Sequence, residues 1–355
     1  MINRTFYKNK NKNKNNNNTT KKYRINEKKL TEGGGMNKMN CSPIVKGKTV
    51  NSETCYTPSV LMKIRNAYNK GKPRDQRILS KDPNTVWTEL RARLTQCSAE
   101  DCWLKQIKNP SMQSHLDDLI FAPDKPPEWA KNPREWLSNF DIANVLKQYQ
   151  ITHREFKLLG PSSIDYDAKP SEENGRCVWP ELCRLSLRDL IAHGKWKLGI
   201  VFNLDKHDEP GSHWVSMFVD IDNSLIFYYD SARNPTPPEI TRLKNEIKKQ
   251  GAALQPPIHF KYITNKHSHQ RTNTECGMYS IFFIVTMLTK KIDVPIHTFK
   301  QIRRGGESEG VSEGGSEGVS EGGSTQLSIE DSVSLFTDRH IPDAFVAEKR
   351  EKFFN

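Results

Sequence analysis

An α+β fold is predicted for this 355-residue chain by three observations. Two β-rich runs flank a turn, an apolar run long enough for a buried helix follows them, and amphipathic helical patterns lie before and between the strands. The elements follow in order. Residues 1–40 form a basic Lys/Asn-rich tail, NKNKNKNNNN within it, which is expected to be disordered because it cannot bury a core. Residues 41–125 read as a helical N-terminal arm. SVLMKIRNAYNK follows Pro58, and TVWTELRARLTQC is a second helix with Thr88, or Asn84 for an earlier start, as its cap. The Pro-rich FAPDKPPEW then leads into a unit at 126–355. In it, REWLSNFDIANVLKQYQ has apolar residues at 137, 140, 142, 145, 146 and 149, the spacing of a helix face. LGIVFNL (198–204) reads as a buried strand. HWVSMFV and LIFYYDS, separated by the turn formers Asp222, Asn223 and Ser224, read as a β-hairpin. PEITRLKNEIKKQ is an amphipathic helix, HFKYIT a further strand, and CGMYSIFFIVTML the central buried helix. Residues 305–325 break the pattern. The octamer SEGVSEGG stands twice in tandem at 308–315 and 316–323, composition that predicts a flexible Gly/Ser/Glu loop inserted into the unit.

The net charge of +12 is local. Residues 1–50 hold 11 Lys and 2 Arg against Glu27 and Glu32, so +11 of the excess sits there and the remainder of the chain is close to neutral. A solvated tail is the first expectation for it and a weak nucleic-acid contact the alternative; no aromatic residues interleave with its Lys/Asn tract to stack bases. Cysteines at 41, 55, 97, 102, 177, 183 and 276 are too sparse for a disulfide scaffold, and no apolar run follows the basic N-terminus as a secretory signal requires. A reducing compartment and buried structural thiols are therefore expected. Cys41, Cys55, Cys97 and Cys102 lack a CxxC pair, so neither a metal nor another cofactor is expected. The longest apolar run, Ile281 to Leu288, is far too short to span a membrane, and no membrane partner is expected.

Chemistry concentrates at four residues. A hairpin turning near residue 222 sets His213 nearly opposite Asp230, within reach across an antiparallel pair. Cys276 opens the buried helix. A thiol with pKa near ~8.5 is mostly protonated at neutral pH, and a helix N-terminus with a neighbouring imidazolium lowers that value. His213 is thus the base that takes the Cys276 proton and returns it to a leaving amine, and Asp230 the group that orients the imidazole. Gln270, six residues before Cys276, is placed to donate its amide to an oxyanion together with the Cys276 N–H. Gly277 is read as allowing close approach of substrate backbone. Asp220 and Asp222 are rival partners for His213, discounted because they lie by the turn.

The stretch HWVSMFVDIDNSLIFYYDS, then Gln270 and ECGMYS, resembles the SUMO/ubiquitin-like-protein proteases and their relative adenain, the adenoviral protease. The His–Asp interval of 17 and the Gln–Cys interval of six fit that pattern, and Trp136-Leu137-Ser138-Asn139 with Asp141 and Ile142 resembles the tryptophan-leucine motif that opens its catalytic domain. Glu275 departs from it, standing where these proteases usually carry Asp. The resemblance implies an adenain/SUMO-protease-like core, a central mixed β-sheet with helices and the nucleophile at the N-terminus of a buried helix, with Trp136 and Trp214 flanking a narrow channel for a Gly-Gly segment. KLGIVFNLDKHDEPGSHW, the segment CSPIVKGKTVNSETCYTPSVLMKIRNAYN and the terminal IPDAFVAEKREKFFN are more narrowly similar to the thiol proteases of large nucleocytoplasmic DNA viruses, of the mimivirus, iridovirus and asfarvirus kinds. That similarity implies a cysteine endopeptidase cutting viral polyprotein precursors after Gly-Gly motifs during virion maturation, located in the virion and the cytoplasmic viral factory. A deconjugase of SUMO or ubiquitin-like modifiers is the second reading, and a module that holds Gly-Gly tails without cutting them the third. The pairs Gly305-Gly306, Gly314-Gly315 and Gly322-Gly323, and Gly33-Gly34-Gly35 in the tail, raise self-cleavage as a further expectation.

Overall fold

The computed structural model describes residues 36–171, 175–292 and 325–355. Residues 1–35 of the expected tail and 305–324 of the repeat loop, with all their Gly-Gly pairs, lie outside these residues; residues 36–40, expected to be disordered with the tail, are placed, the Asn37 N–H donating to the Ser98 carbonyl at 2.8 Å. Two compact units are present, the chain passing from one to the other between Ala122 and Pro123.

The first unit holds α1 (Pro58–Asn69), α2 (Pro83–Arg93) and α3 (Pro110–Ile120), each with proline in its first turn, where a missing N–H costs nothing. Thr88 and Asn84 are not caps. Asp82 is, its carboxylate accepting from the Thr85 N–H at 2.8 Å, because Pro83 moves the start of the helix upstream. The core gathers Tyr56, Leu61, Ile64, Val86, Leu90, Trp103 and Phe121. Buried Glu100 receives the Thr54 hydroxyl, the Cys55 N–H and the Trp87 indole, so its burial is compensated by donors. The expectation of free structural thiols is corrected here: Cys41–Cys55 and Cys97–Cys102 are disulfides, with Cα–Cα separations of 5.1 and 5.6 Å. Those distances suit bonding, whereas the sequence argument rested on compartment and on sparse spacing. Cys177–Cys183 is a third disulfide, in the second unit, which leaves Cys276 the free cysteine.

The second unit opens with α4 (Asn139–Thr152), capped by a reciprocal Ser138–Asp141 box. That box starts the helix after Trp136-Leu137 rather than at Arg134. β1 (Phe156–Ser163) follows, then the short α5 (Pro180–Cys183) and α6 (Leu187–Ala192), β2 (Lys197–Asn203), β3 (Trp214–Asp220), β4 (Leu225–Tyr229), α7 (Pro238–Ala252), β5 (Lys261–Thr264) and α8 (Cys276–Thr289). The strands make a five-stranded mixed sheet in sequence order, β1 parallel to β2, β2–β3–β4 antiparallel, and β4 parallel to β5. β1 was missed by sequence reading. Its Gly160-Pro161 reads as a strand breaker, and the ladder skips these residues in a bulge between Leu159 and Ser162. At φ +93° Gly160 adopts a backbone open to glycine, and a Cβ there would stand 2.6 Å from the Val201 carbonyl oxygen.

Alternation along the strands splits the core in two. Val201, Trp214, Phe218, Phe227 and Tyr229 face α8; Ile200, Phe202, Val215, Met217, Val219, Ile226 and Tyr228 form the opposite layer with Ile240, Leu243 and Ile247 of α7. α8 is buried around nearly its whole circumference, and beneath it Gly199 leaves room, a Cβ there lying 3.0 Å from Ile284 Cγ2. The far side of α8 is covered by a helix at Ile329–Thr337 and by short helices at Asp343–Glu348 and Arg350–Phe353. The expected terminal helix is broken in two, and the helix before it was missed although Ser328, whose hydroxyl accepts the Asp331 N–H, and the acidic first turn mark its start. Phe283 stacks on Tyr229 at 4.7 Å and meets Phe227 and Phe336 edge-on. Phe283→Ala is expected to cost about 3–5 kcal/mol, read from denaturant unfolding; a change below about 1 kcal/mol would show that α8 does not rest on this cluster.

Candidate active site

The hairpin turns at Ile221–Ser224, and Asp220 pairs with Leu225. This register puts Ser216 opposite Tyr229, two residues out from the predicted one, so His213 and Asp230 are diagonal rather than opposed. Both lie one residue beyond their strands. Their side chains nevertheless meet, His213 Nε2 standing 2.6 Å from Asp230 Oδ1. The Leu204 N–H holds the His213 carbonyl at 2.9 Å, fixing the histidine to the end of β2. The rival carboxylates are occupied elsewhere: Asp220 binds Lys197 at 2.8 Å and the Asn223 N–H at 3.1 Å, and Asp222 lies 3.4 Å from the same lysine.

Asp230 is 1% exposed. Burial pushes its carboxyl up, but the bond to His213, the imidazolium charge and the backbone N–H groups of Ala232 and Asn234 outweigh burial and hold it below the ordinary carboxylate value. Burial likewise pushes His213 down, and there the bonds to Asp230 and Cys276 and their charges win, raising the imidazole to about 9. His213 is thus held by the carboxylate at Nε2 and interacts with the Cys276 thiol. Asn265 steadies the arrangement: its Oδ1 accepts from the Asp230 N–H at 3.2 Å and its Nδ2 donates to the Asp230 carbonyl at 2.7 Å. Nothing in the sequence marked Asn265; it follows β5, the edge neighbour of β4.

Cys276 is the first residue of α8, so its N–H is among the helix donors that have no intrahelical partner. Gln270 is buried, its Oε1 accepting the Ser231 hydroxyl at 2.7 Å and its Nε2 donating to the Thr272 carbonyl at 2.6 Å. A carbonyl only accepts, so the Thr272 bond fixes which end of the amide is nitrogen and spends one of its two N–H groups. The loop bearing Gln270 is tied from behind. His269, pushed down to about 4 by burial and therefore neutral, donates Nε2–H to the Phe336 carbonyl and accepts the Ile341 N–H at Nδ1. Asp343 accepts the Arg271 and Thr272 N–H groups at 3.0 and 2.8 Å.

Trp214 is buried, with its indole N–H on the Leu137 carbonyl at 3.0 Å. Trp136 is half-buried and precedes that carbonyl directly. Gly277 serves packing rather than substrate approach, since a Cβ there would meet Leu137 Cβ at 3.1 Å and Trp214 Cδ1 at 3.3 Å. The structure thus brings Trp214, Leu137 and the start of α8 together, with Trp136 alongside.

A thiol opening a buried helix, interacting with an imidazole that a buried carboxylate orients, is the constellation of a cysteine peptidase. Residues 198–300, which span β2 to the end of α8, match the Ulp1 protease family, C-terminal catalytic domain. The chain carries a Ulp1-family peptidase domain. Its relatives are viral. A protein of Acanthamoeba polyphaga mimivirus described as a thiol protease is 28% identical over 260 residues, covering 67% of this chain and 81% of that one. A cysteine protease of African swine fever virus is 27% identical over 206 residues, covering 53% and 72%. The Ulp1-type fold also superposes on a crystal structure of an African swine fever virus protease with a TM-score of 0.53 at 18% identity, across 90% of this chain and 97% of that one. The chain is a cysteine peptidase.

Because folded His213 keeps its proton to about pH 9 and an unfolded histidine loses it near ~6.5, its contribution to stability is complete below the lower value and is lost as pH rises through the upper one. The same titration sets an alkaline limb of kcat/KM near pH 9. Asp230→Asn removes the charge that holds the proton, so the limb is expected to move to lower pH while partial activity remains. A pH–rate profile of both proteins checks this, and an unmoved limb would detach Asp230 from the titration.

Proposed function

We propose that this peptidase is an endopeptidase that hydrolyses peptide bonds after Gly-Gly-type motifs in viral structural precursors during virion maturation, acting in the particle and the cytoplasmic viral factory. The observation that carries the reading is His213 held on buried Asp230 at 2.6 Å and raised to about 9 by Asp230 and Cys276. The Cys276 thiolate attacks the scissile carbonyl carbon, and the oxyanion that forms takes hydrogen bonds from the Cys276 N–H and from the second N–H of Gln270. His213, protonated, delivers its proton to the leaving amine, and a thioester remains. Water enters on the same side, gives a proton to His213 and attacks the thioester, which releases the new carboxylic acid, whose remaining proton passes to solvent, and restores the thiolate–imidazolium pair. Asp230 keeps the imidazole oriented throughout. Trp136 and Trp214 wall the approach to Cys276, and a slot between two indoles admits glycines and refuses larger residues.

The second reading, removal of SUMO-like modifiers, draws on one observation: swine fever virus relatives 26% identical to this chain bear the name SUMO-1 cysteine protease. One experiment separates the two. Wild type and Cys276→Ala are offered a Gly-Gly-X peptide series and a fluorogenic SUMO C-terminal conjugate. Cys276-dependent turnover of the short peptides is expected; turnover of the folded conjugate alone would replace the endopeptidase with a deconjugase. In the same assay Gln270→Ala is expected to lower kcat by about 10²-fold, and an unchanged rate would remove Gln270 from the mechanism.

A further inference from the structure

Arg350 has no place in the chemistry above, yet it is 5% exposed and each of its three guanidinium nitrogens donates a hydrogen bond. Nε donates to Glu275 Oε2 at 2.9 Å, Nη2 to the Thr274 carbonyl at 3.2 Å and Nη1 to the Glu135 carbonyl at 2.9 Å. Its face lies over the Trp129 ring, 4.5 Å from the centroid, and the Trp129 indole N–H donates to the same Glu135 carbonyl at 3.1 Å. Phe354 meets Trp129 edge-on at 5.2 Å. The partners of this one group precede two distant positions: Thr274 and Glu275 lead directly into Cys276, and Glu135 leads directly into Trp136.

From this arrangement we infer that Arg350 is a positioning residue, which sets the Trp136 wall of the substrate slot in register with Cys276. The inference rests on the endopeptidase reading of that slot. Burying an ion pair such as Arg350–Glu275, whose carboxylate side is 1% exposed, brings little net stability because desolvation offsets the attraction. What the pair does bring is geometry. A planar guanidinium donates in three directions at fixed angles while stacking on a ring, which the ammonium of lysine cannot reproduce. The Glu135–Leu137 segment is thereby held from both ends, since Trp214 holds the Leu137 carbonyl while Arg350 and Trp129 hold that of Glu135. Trp136 is the residue between. The Arg350 end links this segment to the residues that precede the nucleophile. The imidazole side of Cys276, built from β3 and β4, does not depend on it.

That independence yields the test. Arg350→Lys and Trp129→Phe are compared with wild type in kcat and KM on a Gly-Gly-X peptide, in the pH dependence of Cys276 alkylation by iodoacetamide, and in thermal unfolding. Iodoacetamide is a small reagent that needs no peptide segment aligned along the Trp136 wall. Arg350→Lys is expected to lower kcat/KM about tenfold to 100-fold, mainly through KM, with the alkylation rate and its pH profile unchanged. Trp129→Phe keeps the ring under the guanidinium and deletes only the bond to Glu135, so a smaller rise in KM in the same direction is expected. A folded Arg350→Lys with wild-type KM, or one in which alkylation falls in step with turnover, would overturn the inference. Should Arg350→Lys fail to fold, a wild-type KM in Trp129→Phe would overturn it equally. Failure of the endopeptidase reading shows itself separately, as wild-type protein whose Cys276 alkylates while no Gly-Gly-X peptide is cleaved.

Discussion

The hydrogen bond between His213 and Asp230 is the constraint on which the rest of the site depends. Neither residue lies within a strand, so no ladder hydrogen bond places their side chains; what places them is the packing of two strand ends. The Leu204 N–H fixes one end and Asn265 the other, and β3 and β4 run antiparallel between them. Once the carboxylate is buried, it needs donors to remain charged, and His213 with two backbone N–H groups supplies them. Once it is charged, it holds a proton on the imidazole at a pH where a free histidine has lost it. The electrostatics of the thiol therefore begin at a carboxylate on the far side of the ring.

The second half of the site is built from the end of the chain. The loop from His269 to Glu275 has no strand or helix of its own; Ser231 ties its start, its carbonyl accepting the His269 and Gln270 N–H groups at 2.8 and 2.9 Å. Phe336, Ile341, Asp343 and Arg350 each bind it. This accounts for a C-terminal segment that carries none of His213, Asp230 and Cys276 and yet shares one hydrophobic cluster with α8. The residues around Cys276 thus receive their geometry from two sources, a sheet on one side and the terminal helices on the other.

Much of this was legible in the sequence. The hairpin, the central helix and the strand at 197–203 announce themselves by apolar runs and turn formers, and Cys276, His213, Asp230 and Gln270 by their types and order. The parts that escaped did so for physical reasons. β1 contains Gly160-Pro161, a turn signal that a bulge accommodates within a strand. Register came out two residues off because turn residues identify a turn without fixing which of them pair. Gly277 suggested an open approach to substrate, but the space it leaves is filled by Leu137 and Trp214. Asn265 and Arg350 are single polar residues whose significance exists only when distant segments meet. The cysteine pairs were misjudged because compartment was argued from sequence while proximity is a property of the fold.

The central claim is that Cys276 is the nucleophile and that His213 activates it. Its most direct test is covalent trapping with a peptide that ends in Gly-Gly bearing a vinyl sulfone, followed by peptide mapping by mass spectrometry, in wild type and in His213→Ala. A single adduct on Cys276 that forms quickly in wild type and is nearly lost in His213→Ala is the predicted result. Labelling of another residue, or equal labelling of Cys276 in both proteins, would contradict the account.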